Sequence, residues 1–234
     1  MSINTGGNDK NNTVLVYSIP RTGSTLIWQC LNNICAKVLK SHKDQIWDYS
    51  SRFKMHTQKP KITLDYSCPC IISERDNVDT FLSWYKFKNN LSLELFKEEC
   101  AQDNFLDIAE KTILHFQKYL KDLKEVKLYY KGPILVLQYE KFWNDYDYIF
   151  CEFEKFFKIT LSTEIKNTIR NTTNRKANML VQNQMKSTYE HDQKTHIHGN
   201  HISFATPNYS EKILNQKTLS KLKEILYSEE NDER

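Results

Sequence analysis

Residues 13–31 read TVLVYSIPRTGSTLIWQCL, an apolar run, a polar turn and a second apolar pattern in succession. Val14 to Ile19 is an apolar run that stops at Pro20. The turn Arg21-Thr22-Gly23-Ser24-Thr25 follows, and Leu26, Ile27, Cys30, Leu31 and Ile34 then recur at helical spacing. Strand, tight turn, helix is the layout in which backbone N–H groups and a helix N-terminus converge on an anion. Gly23 permits a positive φ and close backbone approach. Ser24 and Thr25 can cap the helix or donate hydroxyls to a phosphate oxygen, and Arg21 adds a fixed, planar charge. A buried strand followed by a capped helix would use the same residues with no ligand. Against that reading, Arg21 ends an apolar strand, where a charge needs a partner.

Working outward, Lys37 to Lys40 (KVLK) reads as a second short strand with Ser41-His42 at its end, while residues 45–67 show no clear period. Cys70 to Ile72 is a third strand, closed by Ser73-Glu74-Arg75-Asp76. Asp76 or Asn77 can cap the helix that carries Val78, Phe81, Leu82 and Tyr85. Amphipathic segments follow at about 92–100 and 103–124, Gly132-Pro133 breaks the chain, and Ile134 to Leu137 is a fourth strand. Helical patterns occupy about 145–157 and 162–170, residues 171–207 are polar without period, and a last helix spans 210–227. Apolar strands separated by helices predict an α/β fold, a central parallel sheet flanked by helices. Such sheets bind ligands beyond the strand C-termini, and Arg21, His42, Arg75 and Tyr139 all fall there. The expected organisation is a polar tail over 1–11, a single domain over 12–228 with a closing segment at 171–209, and a frayed acidic tail over 229–234.

Composition fits this picture. The chain has 234 residues, 39% hydrophobic and 26% charged, enough for one sizeable domain and an ordinary globular class. A net charge of +4 suits an anionic ligand, and without a long basic run it gives no ground for a nucleic-acid partner. Six scattered cysteines lack metal or redox spacing, and most read as small core residues, with Cys30, Cys35 and Cys151 in apolar patterns, in a reducing compartment. No run reaches the roughly 18 apolar residues of a membrane span, and the N-terminus is not signal-like, so a cytoplasmic location is expected.

A nucleoside-triphosphate P-loop needs two glycines and a lysine after the second; PRTGSTL has one glycine and no lysine after it. It resembles instead the 5′-phosphosulfate loop of the sulfotransferases, P-[KR]-[ST]-G-[ST]-[ST]. The stretch IISERDNVDTFLSWYKFK (71–88) is similar to that family's 3′-phosphate motif, a strand ending in Arg-Asp followed by D-x-x-x-S-x-Y on a helix. Lys40-Ser41-His42 resembles the family's Lys-Thr-His, and ILVLQYEK (134–141) its strand followed by Tyr-Glu.

The resemblance implies a P-loop-like nucleotide-binding fold and a cosubstrate, 3′-phosphoadenosine 5′-phosphosulfate (PAPS), with no metal. It assigns Arg21, Thr22, Gly23, Ser24 and Thr25 to the 5′-phosphosulfate. It assigns Arg75 and Ser83 to the 3′-phosphate, Tyr139 to the adenine, and His42, Lys40 and Arg21 to catalysis. An imidazole, with an ordinary pKa of about 6.5, can take a proton from an acceptor hydroxyl near neutral pH. The family's Arg-Lys-Gly closing loop has no counterpart among residues 194–201, KTHIHGNH, where His198, Gly199 and Asn200 are the candidates for a closing role. The short interval between Gly23 and His42 implies a smaller acceptor region than in the larger enzymes, for a small-molecule or glycan acceptor. Two other classes use the same features: a nucleotide or small-molecule kinase, with Asp76 as its magnesium carboxylate, and a binding protein of this fold without turnover.

Overall fold

The computed structural model describes residues 13–35, 67–187, 190–192, 194–199 and 206–228, with 51–56 as backbone. Strand β1 (Thr13–Ser18) lies between β2 (Ser51–His56) and β3 (Cys70–Glu74), and β4 (Ile134–Gln138) lies beyond β3, all pairs being parallel. The registers Leu15↔Cys70 and Cys70↔Ile134 set the tips of β1, β3 and β4 side by side. Parallel strands cannot be joined by a tight hairpin, so helices cross over both faces and bury the central strand completely. Val14, Leu15, Val16 and Tyr17 accordingly have no exposed surface.

Strand alternation sorts these side chains between two cores. Leu15, Tyr17, Cys70 and Ile72 pack with helices α2 (Asn77–Lys88), α4 (Phe105–Tyr129) and α10 (Gln216–Tyr227), where Phe81, Phe116 and Leu222 are fully buried. Val14, Val16 and Ile71 face the opposite layer, built from α1 (Ser24–Ile34), α6 (Tyr146–Phe157) and α7 (Thr163–Thr173) around Phe150 and Phe153. The remaining helices are α3 (Leu93–Cys100), α5 (Tyr139–Phe142), α8 (Arg175–Asn183) and α9 (Ser210–Ile213). Among the described residues none is long and apolar enough to cross a membrane.

The strand expected at 37–40, with Lys40 and His42, lies outside the described residues. One strand that pairs with β1, Ser51–His56, lies inside the stretch that showed no period. Three further boundaries differ from expectation, each for a local reason. The polar stretch after 171 contains a helix, α8, because Asn174 caps it by accepting from the Ala177 N–H at 2.9 Å. The helix expected over 210–227 is two: Leu214 is extended, and Asn215 restarts the chain by accepting from the Thr218 N–H at 2.8 Å. At the other end of the chain, α1 is not capped by Ser24 or Thr25. Gly23 is its N-cap, with φ 82°, and no side chain caps it.

Candidate active site

Two left-handed residues shape the turn after β1: Gly23 at φ 82° and Arg21 at φ 77°. The first is at ease there; the second is strained, as residues at ligand-binding turns often are. Neighbouring contacts hold it. The Thr22 hydroxyl donates to the Ile19 carbonyl at 2.9 Å, which leaves it to accept from Ser73 Oγ at 2.8 Å across the β1–β3 gap. Thr22 is therefore spent on stapling the loop to the tip of β3. Ser24 is buried, while Thr25 reaches the cavity described below. Gly23 lies beneath two aromatic rings: a Cβ there would come within 2.8 Å of both Tyr139 and Phe142.

Arg21 and Arg75 leave different strand tips and enter one cavity of about 360 Å³. Its wall also includes Gly23, Thr25, Ser83, Tyr139 and a third cation, Arg175, and none of the described residues that line it is a carboxylate. Arg21 Nε donates to Ser83 Oγ at 3.2 Å, and its guanidinium sits 5.1 Å from the centre of the Phe87 ring. Ser83 thus meets Arg21 rather than back-bonding within α2, because two helical turns carry it from the β3 tip to the loop. Burial, and next the nearby Arg75, push the Arg21 pKa down to about 10, so it remains charged at neutral pH.

Arg75 is only 6% exposed and does not form the surface ion pair that Arg75-Asp76 could suggest. Its guanidinium lies 4.6 Å from the centre of the Tyr139 ring. One terminal nitrogen is 3.5 Å from Asp79 Oδ2 and 3.5 Å from the Thr206 carbonyl, and Nε is buried with no hydrogen-bond partner among the described residues. Asp79 is itself shared, accepting from the Ser210 N–H at 2.8 Å and the Tyr209 N–H at 3.3 Å. A buried guanidinium with two long contacts and an unmet donor lacks an acceptor, which a bound anion would provide.

Of the residues named from sequence, Arg21, Gly23, Thr25, Arg75, Ser83 and Tyr139 line the cavity. Lys40, His42 and Asn200 lie outside the described residues. From the 190–199 segment Ile197 forms part of the wall. His198 pairs with His191 in an antiparallel bridge, and the Gly199 N–H donates to the Glu190 carbonyl at 3.1 Å. Sequence reasoning missed Arg175, Asn178, Trp143 and Thr173, which also line the cavity. Arg175 carried a signal, a cation directly after the helix-capping residue Asn174. Trp143 carried another, four residues beyond Tyr139 and so on the same helical face. Among the described residues no cluster of three or more His, Cys, Asp or Glu is placed to hold a metal ion.

A parallel sheet whose first strand runs through a glycine turn into a helix, with arginines from two strand tips entering one cavity, defines an anion-binding α/β protein of the P-loop-like kind. The sulfotransferase domain model matches residues 11–213, and the chain belongs to that family. It is similar in fold to mouse sulfotransferase SULT7A1, solved in complex with PAP. The TM-score is 0.56 at 12% identity, over 97% of this chain and 86% of that one. No curated protein matches the chain.

Proposed function

We propose that the chain moves a sulfuryl group from PAPS to an acceptor hydroxyl or amine, and that the cavity holds the nucleotide. The observation that carries this reading is the trio of arginines in a wall where no described residue is a carboxylate, with the Nε of buried Arg75 lacking an acceptor among the described residues. PAPS, when bound, supplies an activated sulfuryl group and leaves as adenosine 3′,5′-bisphosphate (PAP), the compound held by the mouse enzyme.

Arg75 and Ser83 hold the 3′-phosphate and so fix the register for in-line attack. Arg21 and the N–H groups of the 22–25 turn offset negative charge on the departing phosphate oxygen. Arg175 adds a third cation, and Tyr139 lies beside the base. His42 takes the acceptor proton, and Lys40 assists at the sulfuryl oxygens. The acceptor is a small molecule or glycan, bound without a metal. Asp76, the carboxylate a kinase would give to magnesium, is engaged elsewhere: Oδ1 accepts from the Asp79 N–H at 2.8 Å and Oδ2 from the Tyr227 hydroxyl at 2.7 Å.

The expected behaviour of His42→Ala tests the assignment. Transfer of labelled sulfate from PAPS to a panel of sugars, phenols and amines should fall at least about a hundredfold, as for loss of a general base. PAP affinity, read by calorimetry, should stay within about twofold of wild type. Normal turnover by the variant would remove His42 from the mechanism.

A further inference from the structure

We infer that Gln29 is a positioning residue that couples the anion loop to the far wall of the nucleotide cavity, an inference that rests on the reading of that cavity given above. Gln29 lies on α1, the helix that starts at the loop, and is 4% exposed. Its Nε2 donates to the Thr195 carbonyl at 2.7 Å and to Asn178 Oδ1 at 3.2 Å. Its Oε1 accepts from Asn178 Nδ2 at 3.1 Å, and that nitrogen also donates to the Thr173 carbonyl at 2.9 Å. One carboxamide therefore joins α1 to α8 and to the 194–199 segment, with both of its N–H donors and its oxygen in use.

What Gln29 holds is cavity wall. Asn178 and Thr173 line the cavity directly. Arg175 lies three residues before Asn178 on the first turn of α8, and Ile197, almost fully buried, lies two after Thr195. Gln29 itself is not in the wall, so it acts through these neighbours. A helix is stiff along its axis, so a shift of the loop around a bound anion moves Gln29, and Gln29 carries α8 and residues 194–199 with it. Trp28 makes a separate contact from α1 to the same segment, its ring 4.2 Å from that of His196. That contact keeps the segment seated when the amide is replaced, so variants at Gln29 are expected to fold.

The full chain, with Gln29→Met and Gln29→Glu, provides the test. Methionine keeps the volume and loses all three hydrogen bonds; glutamate keeps the acceptor and loses both donors. Amide hydrogen exchange with and without PAP is followed together with the PAP dissociation rate. In the wild type, PAP should slow exchange at 21–25 and also across 175–183 and 194–199. In both variants protection at 21–25 should persist while that of the far wall is lost, and PAP should leave about tenfold faster. Glutamate should be the worse, since its carboxylate faces Asn178 Oδ1 and the Thr195 carbonyl. A purely structural role would weaken both regions together. Wild-type protection and dissociation in both variants would overturn the coupling alone. Failure of the wild type to bind PAP would overturn the nucleotide reading and the coupling with it.

Discussion

Arg75→Ala is expected to weaken PAP binding by about a hundredfold, the cost of removing one partner of a buried, charge-assisted hydrogen-bond set. The side chain is 6% exposed, lies over the Tyr139 ring, and carries a buried Nε with no acceptor among the described residues. An unmet donor of this kind contributes little to folding and much to binding, because the ligand rather than the protein completes it. The variant should therefore lose affinity without losing its fold: Asp79 keeps the Ser210 and Tyr209 N–H groups when the guanidinium goes. Arg75→Lys retains the charge but not the planar fork, and should fall about tenfold short of wild type. Titration calorimetry with PAP measures both, and equal affinities for the three proteins would show that Arg75 does not touch the nucleotide.

Gly23→Val should have the largest effect on stability. At φ 82° an L-residue is strained by about 1–2 kcal/mol. The new Cβ would also sit 2.8 Å from Tyr139 and Phe142 ring atoms, overpacking that costs roughly 1–3 kcal/mol. Together these predict a loss of about 3 kcal/mol in the denaturant midpoint analysis, with Gly23→Ala losing somewhat less because its Cβ carries neither of valine's methyl branches. The displaced ring of Tyr139 also supports Arg75, so PAP affinity should fall as well. A Gly23→Val midpoint equal to wild type would mean that the turn is not held in the left-handed conformation.

How much of this was legible in the sequence follows from where each signal resides. The strand-turn-helix at 13–34 and the 70–88 strand and helix are locally periodic, and their apolar runs and caps identify them without tertiary information. Arg21, Arg75 and Tyr139 could be named because a parallel sheet forces the residues after its strands to one end. Thr22 could not be sorted from its neighbours, since only the adjacent tip of β3 shows that its hydroxyl is occupied by Ile19 and Ser73. Strand β2, SRFKMH, alternates too weakly to announce itself. Helix α8 is nine residues long in a polar stretch, and Arg175 and Asn178 become wall residues only through docking against α1. Contributions of that kind have no signature in local spacing.

The proposed function requires one cavity to hold a nucleotide phosphorylated at two separated positions, gripped by arginines from two strand tips. Its most direct test is titration of the full chain with PAP, adenosine 5′-monophosphate and ATP, the last with and without magnesium. PAP is predicted to bind at least about a hundredfold more tightly than the monophosphate, the difference expected for a buried, charge-assisted phosphate contact. It should also outcompete ATP under both conditions. Equal binding of PAP and the monophosphate, or tighter binding of magnesium ATP, would contradict the account.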